Sequence, residues 1–123
     1  MIAGIGVDAV RISRMEKWTG NKNLLERYFD PRELHLLQER GNGMLYSLAA
    51  HFAAKEAFAK ALGTGFTGLV LRDIMVLNRK DQRPLLYTEG SALEAMKNAG
   101  AVKAHVSLTH DGDMALAFVV LEG

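Results

Sequence analysis

Three charged residues stand in an otherwise apolar stretch, HFAAKEAFAKALGTG at residues 51–65: Lys55, Glu56 and Lys60. A charged side chain in a buried segment costs free energy unless it is paired, reaches solvent or holds a ligand. Glu56 and Lys60 are four residues apart and share one stripe of a helix. On an exposed helix that spacing is an ordinary ion pair, worth a few tenths of a kcal/mol. Here the flanking residues are apolar on most sides, which places the helix near the centre of the fold. A second carboxylate, Asp8, ends the opening segment IAGIGVD, on the same face as Gly4 and Gly6. Two glycines on one strand face let another element approach closely. Alone, Asp8 reads as a helix N-cap. Together with Glu56 it forms a pair suited to magnesium, which takes one or two carboxylates plus substrate phosphates. Lys60, one turn beyond Glu56, is placed to neutralise a phosphate oxygen. The chemistry indicated is a magnesium-assisted reaction at a phosphate.

The elements that must position these groups are legible in outline. IAGIGVD alternates as a strand, with Ile5 and Val7 on the face opposite the glycines. A short helix is expected from Ala9 to about Trp18, with Asp8 as its cap and TGNKN as its break, and a second from Leu24 to Tyr28. DPREL starts a third, with Asp30 as N-cap, Pro31 at the first helical position and Glu33 closing a capping box. The long helix runs from Ser47, as N-cap, to Leu62, and Gly63 stops it. LRDIMVLNR and LLYT read as strands around the turn KDQRP, and Ser91–Asn98 as a helix. The tail forms two strands joined through Asp111-Gly112. That order is α+β: an antiparallel sheet wrapped on a long central helix, in two unequal strand-helix-strand-strand halves.

Composition excludes several classes. At 123 residues the chain fits one domain, 1–123. No apolar run approaches the roughly 20 residues of a membrane span, and MIAGIGVDAV lacks the features of a secretory signal. Without cysteine, any metal must be held by oxygen or imidazole, which fits a cytoplasmic protein. A net charge of +1 argues against nucleic acid as partner. Arg11, Arg14, Lys17, Lys22 and Arg27 still make a modest basic surface. In the tail, His105, Ser107 and Thr109 share one strand face and Val106, Leu108 and His110 the other. No local order makes Ser, His and Asp a catalytic triad. GTG, residues 63–65, follows its helix rather than preceding one, so it is a terminator before it is a phosphate cradle.

GIGVD with Arg14 six residues on, FAAKEAFAKALGTG, and HVSLTH resemble, in order and spacing, the holo-[acyl-carrier-protein] synthases, the small 4′-phosphopantetheinyl transferases of bacterial fatty acid synthesis. The resemblance implies a homotrimer with active sites between subunits. It implies transfer of the 4′-phosphopantetheine arm from coenzyme A to a serine of apo acyl carrier protein, releasing adenosine 3′,5′-bisphosphate. Asp8 and Glu56 match the family's metal ligands, Lys60 its phosphate-contacting lysine, and Gly63 and Gly65 the loop along the coenzyme. Ser107, Thr109 and His110 match the segment a neighbouring subunit turns toward the adenosine and its 3′-phosphate, and Pro84 the turn beside it. Arg14 and Arg27 match arginines that dock the acidic carrier. The chain departs from the pattern at His51, commonly Arg, at Asp81-Gln82-Arg83-Pro84, often Asn-Gly-Lys-Pro, and at Asn23, often basic.

For the serine proton the open choices are a water on the metal, Glu33, His110 with Asp111, and Asp30. Two other functions use the same residues. A magnesium-dependent pyrophosphohydrolase would attack coenzyme A with water, and a non-catalytic coenzyme-binding trimer would tolerate loss of Asp8 and Glu56.

Overall fold

The computed structural model describes residues 1–123. Its elements are β1 (Ile2–Arg11), α1 (Glu16–Thr19), α2 (Lys22–Tyr28), α3 (Pro31–Gln38), α4 (Met44–Leu62), β2 (Ile74–Asn78), β3 (Pro84–Thr88), α5 (Gly90–Asn98), β4 (Lys103–Asp111) and β5 (Met114–Glu122). Short 3-10 turns lie at Ile12–Met15, Gly41–Gly43 and Leu71–Asp73. The α+β class and the order of strand, helices, two strands, helix and two strands are as expected.

A helix that is apolar all round must be enclosed all round, and α4 is: almost every residue from Ser47 to Ala61 is buried. It packs across an antiparallel sheet of order β1-β5-β4, so the first and last strands are neighbours and the two halves interlock. The β2–β3 hairpin forms a second sheet beside β4. The expected single sheet is therefore two, because no ladder joins β3 to β4. On the inner face of β5, Ala115, Ala117, Val119 and Leu121 are buried, as are Ala53, Ala57 and Phe58 of α4. No helix is long and apolar enough to cross a membrane.

Close approach of β1 to α4 depends on the two glycines. A Cβ at Gly6 would collide with the Ala57 carbonyl, and one at Gly4 with the Ala61 carbonyl. The bare strand face thus presses against an alanine stripe, and Asp8, next on that face, is brought to the level of Glu56. Ile5, Val7 and Phe118 point the other way and stay exposed, with Val7 opposite Phe118 in the ladder.

Several expected boundaries differ. β1 continues to Arg11, since β5 pairs with it down to Met114, so Asp8 sits inside a strand opposite Ala117 and caps no helix. The expected helix from Ala9 is replaced by the 3-10 turn and the single turn of α1. α2 starts at Lys22 because the Asn21 side chain accepts from the Leu24 N–H at 3.1 Å. α4 starts at Met44, which puts Ser47 within its first turns, buried and not capping. Asp30 does cap α3, accepting from Arg32 N–H at 2.8 Å, but Glu33 turns inward and makes no capping box. Residues 71–73 are a 3-10 turn before β2. The β4–β5 connection is Gly112-Asp113, one residue later than expected, with Gly112 at φ +57°.

Candidate active site

Asp8 enters the site from the inner face of β1, and Glu56 and Lys60 from successive turns of α4. Lys60 Nζ donates to Asp8 Oδ1 at 2.7 Å and to the Val7 carbonyl at 3.3 Å. The lysine side chain is 56% exposed and the aspartate side chain 9%. Asp8 Oδ2 is buried and takes no donor from the protein. The half-buried Glu56 carboxyl lies beside it. Burial, then the hydrogen bond and the charge presented by Asp8, push Glu56 up to about 7, only partly offset by Arg14 and Lys60. Two carboxylates that close repel when both are ionised, and a proton or a cation between them relieves it. The same contact with Asp8 raises Lys60 above the usual lysine value.

The donor set fits magnesium. It supplies two carboxylates, one with an unclaimed buried oxygen, and nowhere does the chain gather three or more His, Asp or Glu that could enclose an ion. Magnesium keeps several waters and accepts substrate phosphates as ligands, so two protein carboxylates suffice. Lys60 stands in as counter-ion to Asp8.

Gly63 ends α4 at φ +80°, its N–H bonded to the Lys60 carbonyl, and Gly65 follows at φ +63°. A side chain at either would meet open space, so what demands glycine there is the left-handed backbone. Both lie on the exposed loop next to Lys60. Arg14 is exposed on the 3-10 turn after β1, its guanidinium 5.6 Å from the Phe52 ring centre. Ser13, beside it, donates from its backbone (3.0 Å) and its hydroxyl (2.6 Å) to the Asp113 carboxylate, which ties this turn to the β4–β5 connection. Arg27 is exposed on α2.

The remaining expected residues lie elsewhere in the chain. A groove of about 830 Å³ runs between the β2–β3 hairpin, β4 and the start of α4, and it takes in Pro84 and Ser107 but none of Asp8, Glu56, Lys60, Gly63 or Gly65. Thr109 and His110 follow on β4 outside its lining, with the His110 ring 4.1 Å from that of Tyr46. Register places His110 opposite Ala115, which is opposite Val10, so two strand spacings separate His110 from β1, about 10 Å.

Sequence reasoning missed the groove's charge. Arg40, Arg79, Arg83 and Lys103 line it together with His51 and His105, and no carboxylate does. Those residues are spread over 66 positions' worth of chain and no local pattern links them. In sequence, Lys55 stands with Glu56 and Lys60. Lys55 instead points away from them and pairs with buried Glu33, Nζ to Oε1 2.7 Å. The signal available was the charge itself, a lysine within an apolar helix.

Residues 4–119 match the family model of the 4′-phosphopantetheinyl transferase superfamily. A holo-[acyl-carrier-protein] synthase of Treponema denticola is 50% identical over 123 residues, all of both chains. One from Trichlorobacter lovleyi is 46% identical, covering 99% of this chain and 98% of its own. Among solved structures, the holo-[acyl-carrier-protein] synthase of Neisseria meningitidis superposes with a TM-score of 0.89 at 32% identity over 100% of both chains. That of Helicobacter pylori, in complex with coenzyme A, gives 0.82 at 32% identity over 96% of this chain and 99% of the other. Full-length similarity at this level, in sequence and in fold, places the chain in the 4′-phosphopantetheinyl transferase superfamily, to whose holo-[acyl-carrier-protein] synthases it belongs.

Proposed function

We infer that the chain, as a single domain of residues 1–123, transfers the 4′-phosphopantetheine arm of coenzyme A to a serine of apo acyl carrier protein and releases adenosine 3′,5′-bisphosphate. The observation that carries this reading is the unpartnered Asp8 Oδ2 beside Glu56, with Lys60 within reach. Asp8 and Glu56 would hold magnesium, which when bound supplies a Lewis acid to the attacked phosphoryl group and to the charge on the leaving phosphate. Lys60, whose side chain is more than half exposed beside Asp8, would offer a cation to a phosphate oxygen where negative charge develops. Gly63 and Gly65 leave the coenzyme a path past the end of α4.

Two of the proposed proton acceptors are already committed. The guanidinium of Arg32 binds Asp30 at 2.9 Å and holds its carboxyl below the usual range, and Glu33 is sealed within the core. His110 with Asp111 stays exposed at the end of β4.

The acidic pair and the basic groove occupy different parts of one subunit, which supports a homotrimer in which the groove of one copy, with Pro84, Ser107, Thr109 and His110 near it, meets the acidic pair of the next. The outward sheet face, with Ile5 at 61%, Val7 at 54% and Phe118 at 44% exposure, is the apolar surface available for that contact. Arg14 and Arg27 offer cations to an acidic carrier. The role is in fatty acid biosynthesis, in the cytoplasm.

Mass spectrometry of apo carrier protein incubated with the chain, coenzyme A and magnesium tests the reading. Conversion to the holo form with stoichiometric bisphosphate release is expected. Bisphosphate release without carrier modification would mean pyrophosphate hydrolysis, and coenzyme binding without turnover a non-catalytic role.

A further inference from the structure

The turn that carries Arg14 is anchored from the other end of the chain. Arg11 precedes the four-residue 3-10 turn Ile12–Met15 and offers it no side-chain cap. The N–H groups at the start of such a turn need acceptors from elsewhere. Asp113 supplies them, 100 residues from Ser13 in sequence. Its carbonyl accepts from the Ile12 N–H at 2.7 Å, its Oδ1 from the Ser13 N–H at 3.0 Å and its Oδ2 from the Ser13 hydroxyl at 2.6 Å. The hydrogen bonds from Ser13 hold the Asp113 carboxyl below the usual range, so it is an ionised acceptor.

The anchor is itself fixed. Met114 pairs with Arg11 across the β1–β5 ladder and with Asp111 across the β4–β5 ladder, which leaves Asp113 one step beyond the last paired rung. Met15, at the far end of the turn, is fully buried. The turn is thus pinned at Ser13 by Asp113 and at Met15 by the core, with the exposed Arg14 between them. α1, which follows, has only four residues, too few to hold a helical shape unaided. From this turn Arg14 lays its guanidinium 5.6 Å from the Phe52 ring centre.

We propose that Asp113 is a positioning residue for carrier docking: by capping the Ile12–Met15 turn it holds Arg14 where an acidic carrier meets it. This rests on the reading of Arg14 as a docking cation. A bystander carboxylate beside that cation would repel an acidic partner, so its removal would lower the carrier KM. Removal of a positioning residue raises it. The two roles differ in sign.

The test is steady-state kinetics of the full chain with magnesium, varying carrier at saturating coenzyme A and coenzyme A at saturating carrier. Asp113→Ala is expected to raise the carrier KM about threefold, the scale of one lost cap, and to leave kcat and the coenzyme KM near wild type. Asp113→Asn keeps an oxygen for the Ser13 N–H and gains an amide that can donate to Ser13 Oγ, so it should return the carrier KM to the wild-type value or below. Ser13→Ala removes only the hydroxyl bond and should give a smaller rise, a second reading if Asp113→Ala folds poorly. In the double variant Arg14→Ala/Asp113→Ala the carrier KM should equal that of Arg14→Ala alone, because Asp113 acts through Arg14. If Arg14→Ala is impaired, three results overturn the proposal and leave the docking reading intact: a lowered or unchanged carrier KM in Asp113→Ala, equal rises in both KM values, or effects that multiply in the double variant. An unchanged carrier KM in Arg14→Ala removes the docking reading, and the proposal with it.

Discussion

Lys55 and Glu56 are neighbours in the chain, yet they belong to opposite kinds of cluster. Lys55 faces Glu33, where both carboxylate oxygens and the ammonium find partners within the core. Glu56 faces Asp8 and Lys60, where one carboxylate oxygen is left without a donor and two acids share a space. Both clusters put charge beside the same helix. A polar network satisfied within the chain rigidifies the fold, whereas the acidic pair keeps an oxygen that no protein group engages.

Removing a member should therefore have opposite consequences on the two sides. Lys55→Ala strands a buried carboxylate and should cost about 3–5 kcal/mol of stability, measured by urea denaturation. The same measurement carries a pH signature. Glu33 has a folded value below its unfolded one, so its contribution is complete above the unfolded carboxylate value of about 4.3 and fades as pH falls further through the folded value. Lys55→Ala should lose that acid-dependent component. If Lys55→Ala were as stable as wild type, the network would not be structural.

Glu56→Gln should do the reverse. Stability stays near wild type or rises slightly above pH 7, because the crowding of two carboxylates is gone, while turnover falls by about 10²–10³-fold, the scale of losing one preorganised electrostatic group. Retained turnover would move the chemistry away from the acidic pair.

Smaller effects are expected at the exposed cations. Charge reversal at Arg14 or Arg27 should raise the carrier KM about tenfold, with steep salt dependence, and leave the coenzyme KM near its original value. Equal changes in both would remove these arginines from carrier docking.

The two clusters also differ in how far the sequence revealed them. Gly4, Gly6 and Asp8 alternate on one strand face, and Glu56 and Lys60 lie on one helical stripe, so local periodicity was enough to propose their meeting. Glu33 instead matched a local motif, the capping box, and its actual partners lie 18, 22 and 43 residues away. Long-range pairing overrode the local preference. The same cause misplaced the end of β1, whose last residues are held as strand by β5 about 100 positions later. The groove cations come from α4's approach, the β2–β3 hairpin and β4, and only the tertiary fold collects them.

We propose that Asp8 and Glu56 are joined by a proton in the ion-free protein and by one divalent cation in the working one. Magnesium titration by calorimetry, in buffers of different ionisation heat, measures both at once. With Glu56 at about 7, magnesium should displace most of one proton near pH 6 and almost none near pH 8, and bind more tightly at the higher pH. Magnesium binding with no proton release at either pH, or unchanged in Asp8→Asn and Glu56→Gln, would contradict the account.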